Sequence, residues 1–282
     1  MKILVTGHRG QLGTDLMRVV AEAGDEPVGL DIDTVDITDR EAVAAAVAAA
    51  RPAAVIHCAA WTAVDACESD PDKALLVNGT AVRWVAEACR AVGAHLVHVS
   101  TDYVFDGTKR GPYLEDDLPN PQSVYGTSKL AGEREALALA TAAVARTSWV
   151  CGLHGHNMVK TIRRLAQERD TLSFVSDQIG HPTFTADLAP ALHRLAVRRL
   201  TGVFHLTNAG AVSWYEFARE VVRLMGQDPA MVRPITTAEL DPPRPARRPA
   251  NSVLDNRRWR EAGEPPLRDF REPLAELLAR LA

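Results

Sequence analysis

Short β-branched runs alternate with longer stretches of helical periodicity through the first half of the chain. Lys2-Ile3-Leu4-Val5-Thr6 is an apolar run broken by Gly7, and Leu12 to Ala23 repeats its apolar positions at helical spacing. Pro27-Val28-Gly29-Leu30 predicts a second, weaker strand ending at Asp31. An alanine-rich helix is expected from Arg40 to Ala50, and a third strand from Ala53 to His57. A long helix should run from Pro71 to Val92, with proline suited to its first turn. His95-Leu96-Val97-His98-Val99 predicts a strand covered on both faces, followed by a helix carrying Tyr125 and a strand at Ala143-Val144-Ala145. Strands separated by helices call for a parallel sheet with right-handed crossovers. The fold class is therefore α/β, a doubly wound parallel sheet.

The second half changes character. A helix is expected from Met158 to Arg169, a strand at Leu172-Ser173-Phe174-Val175, and a helix from Ser213 to Leu224. Ser213 with Glu216 three residues later forms a capping-box pattern. Asp241-Pro-Pro-Arg-Pro-Ala-Arg-Arg-Pro249 is rigid, basic and unsuited to regular structure. Residues 1–147 read as a dinucleotide-binding domain, and 148–282 as mainly a substrate-binding lobe with segments returning to the main sheet.

A chain of 282 residues buries a substantial core, in one large domain or a domain with a smaller lobe. Its net charge of −4 gives no electrostatic reason to expect a nucleic-acid or membrane partner. Arg244, Arg247 and Arg248 form a local basic spot whose default reading is a solvated surface. No long uncharged run would span a bilayer, and only four residues separate Lys2 from Gly7, so neither an anchor nor a signal peptide is expected. The implied location is cytoplasmic. Four scattered cysteines do not make a disulfide framework. Cys58 and Cys89 read as small packed hydrophobes, and Cys151 with His154 and His156 lacks a fourth metal ligand.

The candidate chemistry begins at Gly7-His8-Arg9-Gly10-Gln11-Leu12-Gly13, between the first strand and first helix. Glycines there permit a tight turn and close backbone approach, and the helix N-terminus offers free N–H groups to a pyrophosphate. Asp31, 24 residues after Gly7, stands where an acid accepts from an adenosine ribose 2′-hydroxyl, which favours NADH. Arg9 is placed to meet a 2′-phosphate instead. Tyr125 and Lys129 share a helix face at i and i+4. An ammonium beside a phenol lowers the phenol's pKa and suits it to proton transfer near neutral pH.

Several segments together resemble the extended short-chain dehydrogenase/reductases, and within them the dTDP-4-dehydrorhamnose reductases. They are GHRGQLG (7–13), DITD (36–39), CAAWTAVDACE (58–68), VN (77–78), STDYVFDG (100–107), YGTSKLAGE (125–133), RTSWV (146–150), DQIGHPT (177–183), HLTN (205–208), SWYEFA (213–218) and RPANSVLD (248–255). They run in the family's order over nearly the whole chain. The resemblance implies a Rossmann-type domain, NADPH or NADH as cofactor, and a dTDP-4-keto-6-deoxysugar as substrate. It implies that Tyr125 protonates the substrate's C4 oxygen, that Lys129 holds the nicotinamide ribose and lowers the tyrosine pKa, and that Thr101 hydrogen-bonds the same oxygen. Gly7, Gly10, Gln11 and Leu12 would form the dinucleotide loop, with Asp36 and Ile37 at the adenine. Cys58, Ala59, Ala60, Thr62 and Ser100 would line the cofactor, and Asp102, Tyr103, Trp149 and Asn157 would face the substrate. Relatives that dimerise through Mg²⁺ imply a homodimer; Asp15 supplies one acid for such a bridge, but Ala186 stands where its partner is expected.

Each role has a plainer rival. Trp149 suits core packing, Asn157 and Gln178 suit loop backbone, Thr38 or Asp39 suits a helix cap, and Asp65 with Glu68 suits the exposed start of a turn before Pro71. Three functions compete. A 4-keto reductase acting on dTDP-4-dehydrorhamnose or a related deoxysugar is the first. An epimerase or dehydratase is the second, but a dehydratase of this group would follow Thr101-Asp102 with a second acid where Tyr103 stands. A cofactor-binding regulatory subunit without turnover is the third, and the intact Thr101/Tyr125/Lys129 set argues against it.

Overall fold

The computed structural model describes residues 1–281. Its frame alternates as the pattern predicts: β1 (Lys2–Thr6), α1 (Gln11–Glu22), β2 (Glu26–Leu30), α2 (Arg40–Ala50), β3 (Ala54–His57), α3 (Val64–Ser69), α4 (Pro71–Leu75), α5 (Ala81–Val92), β4 (His95–Thr101), α6 (Val124–Leu137) and β5 (Ala142–Thr147). There follow β6 (Val150–Cys151), α7 (Met158–Glu168), β7 (Leu172–Val175), β8 (Ile179–Gly180), β9 (Thr183–Phe184) and α8 (Thr185–Val197). The chain continues through β10 (Gly202–His205), β11 (Val212–Ser213), α9 (Trp214–Leu224), β12 (Val232–Ile235), α10 (Arg257–Glu261) and α11 (Arg271–Leu281).

Six strands form one parallel sheet in the order β10-β5-β4-β3-β1-β2. Strand order reverses between β1 and β3, so the crevice beyond their carboxyl ends is the natural ligand position. Alternation along the strands separates two cores. Ile3, Val5 and Ile56 pack under α1 and α8 with Leu16, Leu188 and Leu192. Leu4, Val55 and Leu96 face the other way, against α2 and α5, with Val43, Val82 and Val85. Burying one such aliphatic side chain stabilises the fold by about 1.5–3 kcal/mol. A third cluster around Ile162, Phe217, Val221 and Leu274 lies in the second half of the chain.

Four features differ from expectation. The helix from Pro71 to Val92 is interrupted by a π turn at Leu76–Thr80, which aims the buried Asn78 at Trp61 and Ser128. Asp65 and Glu68 lie on a short helix, α3, and both side chains are bonded. No element was expected at helix α8, which holds Pro190 and buries Leu188, Ala189, Leu192, Leu195 and Ala196 on its inner face. None was expected at strand β10, helix α10 or helix α11 either, although Leu274, Leu277 and Leu278 of α11 recur at helical spacing. The capping box at Ser213 and Glu216 forms as predicted, with both reciprocal bonds present, and 241–249 holds no helix or strand. No helix among the described residues is long and apolar enough to cross a membrane.

Candidate active site

The glycine-rich turn leaves β1 at the switch in strand order. Gly7 has φ +69°, and a Cβ there would sit 2.9 Å from the Ala59 nitrogen. A Cβ on Gly13 would lie 2.1 Å from the Gly7 carbonyl oxygen, so α1 can pack this closely on the turn only without a side chain. These clearances fit a dinucleotide lying over the loop, with Gly10 at the N-cap of α1. Gln11 reaches across to the second half: its Nε2 donates to Val150 O at 3.0 Å, and its Oε1 accepts from Asn157 at 2.7 Å. Leu12 turns into the core.

Asp31 ends β2 and accepts the Arg9 backbone N–H at 2.9 Å, while the Arg9 guanidinium pairs with Asp33. Asp36 accepts from the backbone and hydroxyl of Thr38, Ile37 is buried, and Asp39 caps α2. Beyond β3, the Cys58 backbone N–H bonds Thr6 O at 3.2 Å, and Ala59 lies against the glycine turn, with Ala60 and Thr62 following in the loop before α3. Burial pushes the Cys58 thiol up to about 12, which makes it a packed thiol and not a nucleophile.

The proton-transfer candidates meet where β4 gives way to α6. Thr101 is the last residue of β4, and its hydroxyl donates to Asp102 Oδ1 at 2.9 Å while accepting the Tyr103 N–H at 3.2 Å. Ser123 caps α6, which puts Tyr125 in the first turn, and Gly126 lets that turn close on the Tyr103 carbonyl. The Tyr103 and Tyr125 rings meet edge to face at 5.6 Å between centroids. Lys129 Nζ, 3% exposed at the residue level, donates to Val99 O at 2.7 Å.

Electrostatics at this cluster differ from the expected lowering of the tyrosine. Burial raises the Tyr125 pKa, the Asp102 charge adds to the rise, and the Thr101 hydroxyl opposes it. Burial brings Lys129 down to about 8, with Glu133 opposing. Lys129 donates one N–H to Val99 O, and the raised Tyr125 pKa favours the protonated phenol, the form in which it can act as an acid. Tyr103 is likewise pushed up to about 12 by burial and then by Asp102.

Asp102 is 1% exposed, and its Oδ2 has no partner. Burial pushes its carboxyl up to about 6, against hydrogen bonds from Ser252 and Thr101. The folded value lies above the unfolded one, so the ionised group destabilises the fold above about pH 6, and this penalty fades as pH falls from about 6 toward 4. A shift of two units corresponds to about 3 kcal/mol. Asp102→Asn is therefore expected to raise the melting temperature by several degrees at about pH 8 while lowering turnover. A variant melting below wild type at that pH would refute this.

Other predicted residues find plainer partners. Ser100 donates to the buried Glu133 at 2.6 Å, and Glu133 forms a bidentate pair with Arg146. Trp149, at φ +47°, stacks on Trp214 with centroids 3.6 Å apart, so one face of its ring is covered by another indole. Asn157 caps α7 and also donates to Gln11. Arg248 is not a solvated cation; its side chain is 10% exposed and paired to Asp65. Asn78, Ser252 and Arg248 lie inside quoted motifs, yet nothing local to the sequence marks them as neighbours of the residues around Tyr125.

The Mg²⁺ bridge does not fit these side chains. Asp15 Oδ2 accepts from Thr185 at 2.5 Å, Ala186 beside it has no ligand atom, and the nearby Glu276 is engaged by Arg268. Among the described residues there is no group of three or more His, Cys, Asp or Glu side chains suited to a metal.

A glycine turn at the β1/β3 switch, with a threonine at the end of β4 and a tyrosine and lysine one turn apart on α6, defines an extended short-chain dehydrogenase/reductase. Comparison with known proteins narrows this. A family model described as the RmlD substrate binding domain matches residues 1–282. A dTDP-4-dehydrorhamnose reductase of Streptomyces griseus is 48% identical over 97% of this chain and 91% of its own. A probable dTDP-4,6-dihydroxy-2-methyloxan-3-one 4-ketoreductase of Streptomyces antibioticus is 46% identical over 98% of this chain and 94% of its own. The crystal structure of a dTDP-4-dehydrorhamnose reductase from Bacillus anthracis in complex with NADP superposes with a TM-score of 0.95 at 37% identity, covering 99% of both chains. The chain belongs to the dTDP-4-dehydrorhamnose reductase family.

Proposed function

We propose that this chain catalyses NAD(P)H-dependent reduction of the C4 keto group of dTDP-4-dehydrorhamnose, giving dTDP-L-rhamnose. The observation that carries the reading is the buried Tyr125 in the first turn of α6, beside Thr101 at the carboxyl end of β4, with β3 lying between that strand and the one that feeds the glycine turn. The reduced nicotinamide supplies the hydride. Tyr125 supplies the proton to the C4 oxygen, and Thr101 holds that oxygen by hydrogen bonding. Lys129 holds the nicotinamide ribose. Gly7, Gly10, Gln11 and Leu12 seat the pyrophosphate, with Arg9, Asp31, Asp36, Ile37, Cys58, Ala59, Ala60, Thr62 and Ser100 along the cofactor. Asp102, Tyr103, Trp149 and Asn157 belong to the substrate side, to which residues 148–282 contribute most of the wall. A cytoplasmic homodimer is the assembly in keeping with this role.

The Streptomyces antibioticus relative supports a second reading, in which the substrate is another dTDP-4-keto deoxysugar. The test mixes the pure protein with NADPH or NADH and each dTDP-4-keto sugar, following loss of reduced-nicotinamide absorbance and identifying the product by NMR. Turnover giving dTDP-L-rhamnose is expected. No turnover with either cofactor overturns the enzyme reading, and turnover confined to another keto sugar selects the second.

A further inference from the structure

One carboxylate ties the proline-rich segment after Leu240 to the catalytic tyrosine. Asp65, in the first turn of α3, accepts from Arg248 Nη1 at 2.5 Å and Nη2 at 2.8 Å, and from the Ala246 N–H at 3.1 Å. Arg248 Nη1 also donates to Ala246 O at 2.7 Å, so residues 246–248 close around the pair. At the other end of α3, Glu68 accepts the N–H of Val124, the residue before Tyr125, at 2.9 Å. The Arg248 charge opposes the rise in the Tyr103 pKa. Beyond Arg248, Pro249 lies against Gly107, and Ser252 pairs by its backbone with Ile179 at 2.8 Å. The segment thus joins the STDYVFDG and DQIGHPT motifs across the mouth of the site.

We propose that Arg248, locked by Asp65, is a positioning residue: through α3 and the bond from Val124 to Glu68 it holds the first turn of α6, and with it Tyr125, in place for proton transfer. A fork–fork pair fixes an angle as well as a distance, which a lysine at the same position would not do. With both terminal nitrogens on Asp65, Arg248 acts through its neighbours.

The inference rests on the reductase reading, and its test separates the two. Arg248→Gln, Asp65→Asn, the double variant and Arg248→Lys are compared by steady-state kinetics, by NADPH binding, and by calorimetric binding of the dTDP-4-keto sugar. Expected is a kcat lowered by about tenfold or more in each single variant, with the KM for the sugar and the NADPH affinity within about twofold of wild type. The double variant should be no worse than the poorer single variant, because both substitutions break one pair, and Arg248→Lys should fall between. Kinetic effects that multiply in the double variant, or a raised sugar KM with kcat unchanged, would overturn the role of Arg248. Calorimetry separates the readings even if the wild type shows no turnover: sugar binding weakened about tenfold or more in Arg248→Gln would make Arg248 a substrate contact and refute the positioning role, whereas an inactive wild type refutes the functional reading alone.

Discussion

Tyr125→Phe is expected to lower kcat by about 10²- to 10⁴-fold, the range contributed by a positioned general acid, while NADPH affinity stays within about twofold of wild type. The substitution removes one oxygen and keeps the ring that packs against Tyr103, Trp61 and Cys67. The loss should therefore be chemical and not conformational. Because burial and Asp102 raise the phenol above its usual value, wild-type kcat should hold through neutral pH without a basic limb from tyrosine ionisation. Stopped-flow measurement of a single turnover isolates the step. Wild-type turnover in the phenylalanine variant would remove Tyr125 from the mechanism, and a limb near neutral pH that vanishes with the substitution would contradict the raised value.

Acid should unfold the protein near pH 5. Five histidines are buried and held neutral: burial brings His57 and His205 down to about 3, His95 and His181 to about 4, and His98 well below its usual value. Their folded values lie below the unfolded one of about 6.5, so the unfolded chain binds more protons and stability falls as pH drops through that value. At about pH 5 each histidine has cost about 2 kcal/mol, and five together approach the roughly 5–15 kcal/mol that holds a domain folded. His57 and His98 stack at 5.3 Å in the middle of the sheet, and both His98 nitrogens are without partners, so neither ring can charge in place. A circular-dichroism titration from about pH 8 to 4 should show one steep transition, displaced to lower pH in His98→Asn. A chain folded unchanged at about pH 4 would refute the account.

What the sequence disclosed follows from where information is local. Strands β1 to β5 were legible because each is a short apolar run ended by glycine, aspartate or a helical repeat, and the glycine turn marks its own place between β1 and α1. Tyr125 and Lys129 are legible as a pair because they lie one helical turn apart, whereas Thr101 joins them through the family resemblance and not through local spacing. The pair Asp65–Arg248 was not, since its partners are 183 residues apart and each looks like an ordinary surface charge. The covered face of Trp149 was hidden for the same reason: Trp214 arrives from a different helix. The expected lowering of Tyr125 failed on a physical point. Spacing puts lysine and tyrosine on one face, but only three-dimensional placement shows how deeply the phenol is buried and that the Asp102 charge raises its pKa further.

Strand β5 is completed by β10, which the ribosome delivers roughly 55 residues later. At about 5–20 residues per second, the nascent chain spends about 3–11 s with β5 as an open edge. That edge carries an Ala-Ala-Val-Ala run whose every residue ends up buried. An unpaired apolar edge recruits strands from other chains. The yield of active protein should therefore depend on translation speed through residues 148–205 and on chaperones that cover the edge, more than on the stability of the finished fold.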